Sequence, residues 1–227
     1  MTIVLTNDDG IDAPGIRALQ AAFPEVVTAI VAPDQPLSGC SHQLNRGGAI
    51  AIAQRAEREH AISGTPADCT RVAVSYLHPE TRWVLSGINA GGNLGSDIYV
   101  SGTVAAVREA TLLRIPGIAI SHYIANRQPI DWEMATRLAR GVLLQLMEQP
   151  LESGQFWNVN LPHLQAADPP PAIVFCPTCT QPLPTEFEID GDRFHYTGKY
   201  RDRRRDAGAD VDICLSGNIS VTKIRLW

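Results

Sequence analysis

The sequence predicts an α/β fold: a Rossmann-like, mainly parallel sheet with helices on both faces, plus a C-terminal β-hairpin arm. Over the first two thirds of the chain, short apolar runs alternate with segments of helical periodicity. Strands that alternate with helices form parallel sheets covered on both faces. Beyond about residue 162 the chain becomes proline-rich and then shows two runs of alternating polarity.

The strands and helices are predicted in chain order from these runs. The expected strands are 3–5, 26–32, 49–53, 83–85, 118–120, 156–161 and 219–224. The expected helices are 14–22, 66–77, 103–113 and 132–147. In the last of these helices, Leu138, Val142 and Leu146 recur at a spacing of four residues, which places them on one face.

The change in composition divides the chain into an α/β core, residues 1–164, and an arm, residues 165–227. The arm contains the proline-rich stretches "ADPPPA" and "QPLPTE". The runs "TEFEID" and "RFHYTG" follow, and Gly191 and Asp192 separate them. A Gly/Asp pair between two alternating runs is typical of a hairpin turn.

Net charge, the length of apolar runs and the number of cysteines indicate which partners and which cellular compartment to expect. The net charge of -5 argues against a nucleic-acid polymer as partner. Apolar runs stay below the roughly 18 residues of a membrane helix, and no signal peptide is visible, so we expect no membrane association. Five cysteines, an odd number in a chain of 227 residues, fit reduced thiols in the cytoplasm.

The segment "VLTNDDGIDAPG" places two adjacent carboxylates, Asp8 and Asp9, directly after the first strand. Neighbouring negative charges repel each other, and a divalent cation between them would offset that repulsion. The alternative is a plain turn in which one of the two carboxylates caps the following helix. Gly10 and Pro14 would suffice for such a turn without paired acids, which favours the cation site.

Two further strand ends carry oxygen donors. Ligands of open α/β sheets bind beyond the carboxyl ends of the strands. The loop "APDQPLSGCSH" supplies Ser38 and His42, and "SGINAGGNLGSD" supplies Asn89 and Asn93. Carboxylate, hydroxyl and amide oxygens suit Mg²⁺, Mn²⁺ or Ca²⁺. His42 is a possible acid or base, and a surface histidine is the alternative.

Two helix starts have different signatures. In "GTPADC" a threonine, a proline and an aspartate give a self-capped start with a structural role. In "YVSGTVAAVREA" the small residues Ser101, Gly102 and Thr103 leave the helix N-terminus open to a phosphate group. Ser and Thr are also ordinary caps, so both interpretations of this second start stand.

Two motifs favour structural interpretations. "CPTC", Cys176 to Cys179, has the spacing of a redox or zinc pair, but no second cysteine pair is near in sequence. "KYRDRRRDAGAD" mixes arginine with aspartate and is interpreted as a solvated loop.

Together these residues resemble the SurE family, which comprises metal-dependent phosphatases of nucleoside monophosphates. The resemblance lies in "TNDDGIDAPGI", "VVTAIVAPDQPLSG", "GTPADC", "SGINAGGNLGSDIYVSGTVAA" and "GNISVTKI". It implies that one divalent ion, Mg²⁺ or Mn²⁺ and possibly Ca²⁺ in crystals, is held by Asp8, Asp9, Ser38 and Asn89. It further implies that the phosphate pocket is lined by Asn93, Ser101, Gly102 and Thr103. The resemblance also implies a Rossmann-like catalytic core, residues 1–164, and an arm, residues 165–227, that is exchanged between subunits of a homodimer or homotetramer.

The sequence departs from the family pattern at Cys40, His42 and Gln43, and it ends at Trp227, where many members continue. Our hypothesis is a 5′-nucleotidase, a phosphoric monoester hydrolase in which Asp8 and Asp9 are catalytic. One alternative is a phospho-receiver-like module, but such modules need an aspartate where Ser86 and Gly87 stand. The other is a nucleotide-binding protein without turnover.

Overall fold

The computed structural model describes residues 2–165 and 167–227. Its strands are β1 (Thr2–Thr6), β2 (Thr28–Pro33), β3 (Ile52–Ala56), β4 (Glu59–Ile62), β5 (Thr81–Ala90), β6 (Gly117–His122), β7 (Gln155–Leu161), β8 (Ile173–Phe175), β9 (Phe187–Asp190), β10 (Arg193–Tyr196) and β11 (Ile219–Arg225). Its α-helices are α1 (Pro14–Ala21), α2 (Pro66–Val72), α3 (Gly102–Leu112), α4 (Trp132–Met147) and α5 (Asp210–Leu215).

Nine strands form one sheet in the order β3-β4-β2-β1-β5-β6-β7-β11-β8, and β9 pairs with β10 in a separate hairpin. The strands from β4 to β7 in this order run parallel, whereas β3 and β11 are antiparallel to their inner neighbours. Because β2, β1 and β5 are adjacent and parallel, their carboxyl ends meet at one edge. The predicted α/β fold and hairpin are therefore confirmed.

Alternate residues of the inner strands face opposite layers of helices, as the two-residue period of a strand requires. Ile3 and Leu5 pack with the buried faces of α1 and α4. Val4 lies on the other side, in a cluster with Cys69 of α2 and Ala110 of α3. The sheet is thus covered on both faces, and its first strand is entirely buried.

The structure shifts or adds a few elements relative to the prediction. Helix 132–147 is confirmed, but the expected helix 66–77 ends as α at Val72 and continues as a π turn over Ala73–Leu77. The strand expected at 49–53 lies at Ile52–Ala56, and β4 was not predicted. Every residue of β3 is exposed, so pairing with β4 and not an apolar pattern defines this edge.

The C-terminal residues contribute to both sheets. Strand β11 inserts between β7 and β8 in the large sheet, while the β9–β10 hairpin stands outside it. The division between residues 1–164 and 165–227 remains a prediction. Because β8 and β11 belong to the large sheet, only part of residues 165–227 lies outside it.

Within residues 2–165 and 167–227, none of the helices has the length and apolarity to span a bilayer.

Candidate functional site

A tight turn after β1 directs two carboxylates to the edge of the sheet. The Asn7 side chain closes the turn, because its Nδ2 donates to the Gly10 carbonyl at 2.8 Å and its Oδ1 accepts from the Gly10 N–H at 3.2 Å. Gly10 has a φ of +97°, a conformation that glycine adopts without strain. Asp8 and Asp9 occupy the centre of this turn, and neither caps α1, whose N-cap residue is Ala13 without a side-chain capping bond.

Asp8 is a nearly inaccessible carboxylate, with 4% of its surface exposed. Burial raises its pKa to about 6, although the Thr103 hydroxyl donates a hydrogen bond to its Oδ1, and the charge of Asp9 adds to the rise. Asp9 is half-buried, and burial raises its pKa as well, opposed by the Ala90 N–H that donates to its Oδ2 at 3.1 Å. Both carboxylates therefore stand where the charged form is disfavoured without a cation.

The N-terminus of α3 lies directly against Asp8. Ser101 caps the helix, with its Oγ accepting from the Val104 N–H at 3.1 Å. A Cβ on Gly102 would lie 2.8 Å from the Asp8 Cβ and 2.9 Å from the Cys40 Sγ, so only glycine fits. Ser101, Gly102 and Thr103 are all buried, so this helix start is less open than predicted. The cause is the carboxylate of Asp8, which already occupies one side of it.

Two loops approach the same turn. The loop after β2 is joined to it by a 2.7 Å hydrogen bond from the Leu37 N–H to the Asp8 carbonyl, and the exposed Ser38 follows Leu37 in the chain. Asn89 precedes Ala90, the last residue of β5, whose N–H binds Asp9. The Asn89 Nδ2 donates to the Gly91 carbonyl at 2.8 Å, which leaves its Oδ1 for another partner.

Asn93 anchors the glycine-rich loop to the sheet. Its Nδ2 donates to the Ser121 Oγ at 2.8 Å, and its backbone N–H donates to the Asn160 Oδ1 at 2.7 Å. Its carbonyl accepts from the side chains of Asn158 and Asn160. These contacts fix the loop, and the predicted contact of Asn93 with phosphate remains a prediction.

His42 is tied to a carboxylate on the body of α3. Its Nε2 lies 2.8 Å from the Glu109 Oε2, and the Arg71 Nε donates to the other Glu109 oxygen at 2.5 Å. Burial opposes ionisation of Glu109, yet the hydrogen bonds from His42 and Arg71 lower its pKa. Glu109 stands seven positions beyond Gly102, which is roughly 10 Å along the helix. The acid or base role of His42 therefore remains a prediction, and its ring is engaged by Glu109.

The sequence did not indicate a second buried aspartate, Asp97, which holds the C-terminal segment against the glycine-rich loop. Its Oδ2 accepts from the Arg203 Nη1 at 2.9 Å and the Tyr200 hydroxyl at 2.5 Å. Arg203 also donates to the Leu94 carbonyl at 3.2 Å. The segment interpreted as a solvated loop is thus partly buried, with the Arg203 side chain fully inaccessible.

Asp210 adds a second attachment between the same two segments. One carboxylate oxygen accepts from the Gly95 N–H and the other from the Cys179 N–H, each at 2.8 Å. Gly95 has a φ of +57°, and a Cβ there would come within 2.9 Å of Arg203. Cys176 and Cys179 are free thiols, and the structural interpretation of "CPTC" remains a prediction.

The donor set for a metal consists of two carboxylates and neutral oxygens. Within residues 2–165 and 167–227, no group of three His, Cys, Asp or Glu side chains could hold an ion. Ser38 and Asn89 would have to complete the coordination of Asp8 and Asp9. Hard oxygen donors of this kind fit Mg²⁺ or Mn²⁺, and the buried, uncompensated carboxylate of Asp8 fits a cation.

Comparison with known proteins gives concordant results. A family model described as "Survival protein SurE" matches residues 3–181. A protein of Nostoc sp. PCC 7120, whose name gives it provisionally as a 5′-nucleotidase, is 53% identical over 226 residues that span all of both chains. The 5′-nucleotidase SurE of Nitrosococcus oceani is 34% identical over 233 residues, covering all of this chain and 92% of that protein.

A solved structure matches the fold over nearly the whole chain. The crystal structure of the SurE protein from Aquifex aeolicus has a TM-score of 0.86 and 28% sequence identity. The match covers 99% of this chain and 93% of the Aquifex chain.

Proposed function

We propose, because the chain belongs to the SurE family, that it hydrolyses nucleoside monophosphates as a 5′-nucleotidase. The relatives' names support the reaction class. The observation that carries the proposal is the pair Asp8 and Asp9 at the end of β1, with Asp8 buried against the N-terminus of α3. A structural turn would not need two carboxylates in surroundings that disfavour their charge.

One divalent cation, Mg²⁺ or Mn²⁺, is proposed to bind Asp8, Asp9, Ser38 and Asn89. When bound, such an ion supplies a Lewis acid that polarises a phosphoryl oxygen. Thr103 holds the carboxylate of Asp8 in place, and the Ala90 N–H orients that of Asp9. These two fixed contacts mean that the carboxylates do not need to reorganise during the reaction.

The start of α3 is proposed to receive the phosphate. Helix N-termini stabilise anions through their free N–H groups and positive dipole end. Gly102 allows Asp8 to pack directly against this helix start, so a phosphate bound there would lie next to the proposed cation site. During phosphoryl transfer the charge spreads over the equatorial oxygens, and donors fixed in advance stabilise that distribution.

The test is phosphate release from a panel of nucleoside monophosphates, with Mg²⁺ and Mn²⁺ in turn. We expect metal-dependent turnover by the wild type and a loss of at least about a hundredfold in Asp8→Asn, because the amide lacks the negative charge that holds the cation most strongly. The matched control is Asp12→Asn, an exposed aspartate of the same segment, which should retain activity. Full activity in Asp8→Asn would refute the proposal. If the wild type binds nucleotides but releases no phosphate from them, it is a nucleotide-binding protein without turnover.

A homodimer or homotetramer is proposed to cover the β9–β10 hairpin. Phe187 pairs with Tyr196 and Ile189 with Phe194, so all four side chains share one face. Each is more than half exposed, and an isolated two-stranded hairpin is marginal in water. A monomer mass in sedimentation equilibrium would contradict this assignment. We place the protein in the cytoplasm, on the same cysteine argument as above.

A further inference from the structure

A cavity of about 480 Å³ lies at the same edge of the sheet as the paired carboxylates. Its walls come from the loops after β6 and β7, from the turn before β11, and from the segment after β10. The volume falls within the roughly 300–1,000 Å³ of small-molecule sites. The side chains that matter here are Tyr123, Asn126, His163, Arg201, Arg205 and Asn218.

The strand order sets the distance between this cavity and the phosphate site. β6 and β7 lie two and three strands from β1. With strands about 4.8 Å apart, the cavity is roughly 10–15 Å from Asp8 along the edge. A Cβ on Gly92 would lie 3.5 Å from the Tyr200 hydroxyl, and the Tyr200 ring stacks on Tyr123 at 6.3 Å, so the glycine-rich loop adjoins the cavity wall.

We propose that this cavity receives the nucleoside part of the substrate, an inference that rests on the proposed function. A nucleoside monophosphate with its phosphate at α3 extends its base about as far as the cavity lies. Tyr123 offers an aromatic ring for stacking, already positioned by Tyr200, which is itself bonded to Asp97. Every base can stack on an aromatic ring, so stacking on Tyr123 would give affinity for nucleotides as a class.

Polar groups around the ring supply hydrogen bonds to the base and sugar. The Arg201 Nη1 donates to the Asn126 Oδ1 at 3.2 Å, so a guanidinium and an amide are held together at the wall. The Asn218 Oδ1 accepts from the Ala172 N–H at 3.0 Å, which leaves its Nδ2 to donate. Asp168 also lines the cavity, but its Oδ2 is engaged by the Gln165 N–H at 2.7 Å.

The experiment compares two substrates that share the reacting phosphate and differ in the nucleoside. For Tyr123→Ala, we expect KM for a nucleoside monophosphate to rise about tenfold, within the range that loss of one base–aromatic stack gives. The kcat/KM for p-nitrophenyl phosphate should change less than about twofold. Tyr123→Phe keeps the ring and should behave as wild type. The matched control is Tyr76→Ala, an exposed tyrosine on the π turn.

Arg205→Ala tests the same cavity without disturbing packing, because Arg205 is exposed. It should also raise KM for the nucleotide and spare p-nitrophenyl phosphate. Equal losses on both substrates, or no change on the nucleotide in either variant, would overturn the subsite. If the wild type hydrolyses neither substrate, the proposed function fails. Calorimetric titration of adenosine into wild type and Tyr123→Ala still decides the subsite: weaker binding in the variant supports it, and unchanged or absent binding refutes it.

Discussion

Asp8, in the turn after β1, and Asp97, in the 3-10 helix Gly95–Tyr99 that follows β5, are both buried aspartates, and they differ in what surrounds the carboxylate. Asp97 receives the guanidinium of Arg203 at 2.9 Å and the hydroxyl of Tyr200. Asp8 receives a hydroxyl from Thr103 and stands beside a second negative charge, Asp9. The chain thus provides a counter-charge for Asp97, whereas the charged group next to Asp8 is another carboxylate.

The largest expected effect comes from removing the cation of the Asp97–Arg203 ion pair. Arg203→Met should lower the free energy of unfolding by about 3–5 kcal/mol, because it leaves the buried carboxylate of Asp97 without its cation. Urea denaturation measures this, with Arg204→Met as control, since Arg204 is the exposed neighbour. The control should shift stability by no more than about 0.5 kcal/mol. Equal stability of the two variants would mean that the ion pair is not a structural clamp.

The buried base His122 makes the folding stability depend on pH. Burial lowers its pKa from 6.5 to about 4, and the neighbouring His163 adds to the shift, although the Tyr123 carbonyl opposes it. Between pH 6.5 and 4, the His122 side chain is therefore protonated in the unfolded chain and neutral in the folded protein. Stability from this group is present above pH 6.5 and is lost as pH falls through that window.

The variant His122→Gln isolates this contribution. Between pH 7 and pH 4, wild type should lose roughly 2–3 kcal/mol more stability than the variant, at about 1.36 kcal/mol per pKa unit. Denaturation at several pH values gives the difference, and His195→Gln, on the exposed hairpin, should track wild type. Parallel profiles for His122→Gln and wild type would show that the buried imidazole does not govern acid sensitivity.

The smallest expected effect has the opposite sign. In the metal-free protein, with a chelator present, Asp8→Asn should raise the free energy of unfolding by roughly 1–2 kcal/mol. The amide keeps an oxygen for the Thr103 hydroxyl and removes a buried charge that has no cation. The same urea series measures it, with Asp12→Asn as the neutral comparison. If Asp8→Asn were as destabilising as Arg203→Met, the protein itself would compensate the charge of Asp8 as it does that of Asp97, and the comparison would fail.

The sequence predicted the elements that depend on local pattern and on strand order. Helix α4 and the hairpin follow from side-chain periodicity and turn residues. The convergence of the loops after β1, β2 and β5 follows from the rule that parallel strands end at one edge, and the order β2-β1-β5 confirms the adjacency. Paired acids after an apolar strand were visible without any structure.

Contacts between distant segments could not be predicted in this way. Asp97 and Arg203 are separated by 106 positions, and the charge pattern around Arg203 is that of a solvated loop. The burial of the α3 start arises from Asp8, 95 positions before Thr103. The exposed strand β3 carries no apolar face, so its position depends on its partner β4 and not on its own residues.

The attachment of the glycine-rich loop has a consequence for synthesis of the protein. The side chains that hold the loop, Tyr200, Arg203 and Asp210, are translated more than 100 positions after their partners in it. Strand β11, translated later still, lies between β7 and β8. A nascent chain can therefore assemble the first strands early, but it cannot complete its loop or the far half of its sheet until residues 200–225 have been translated.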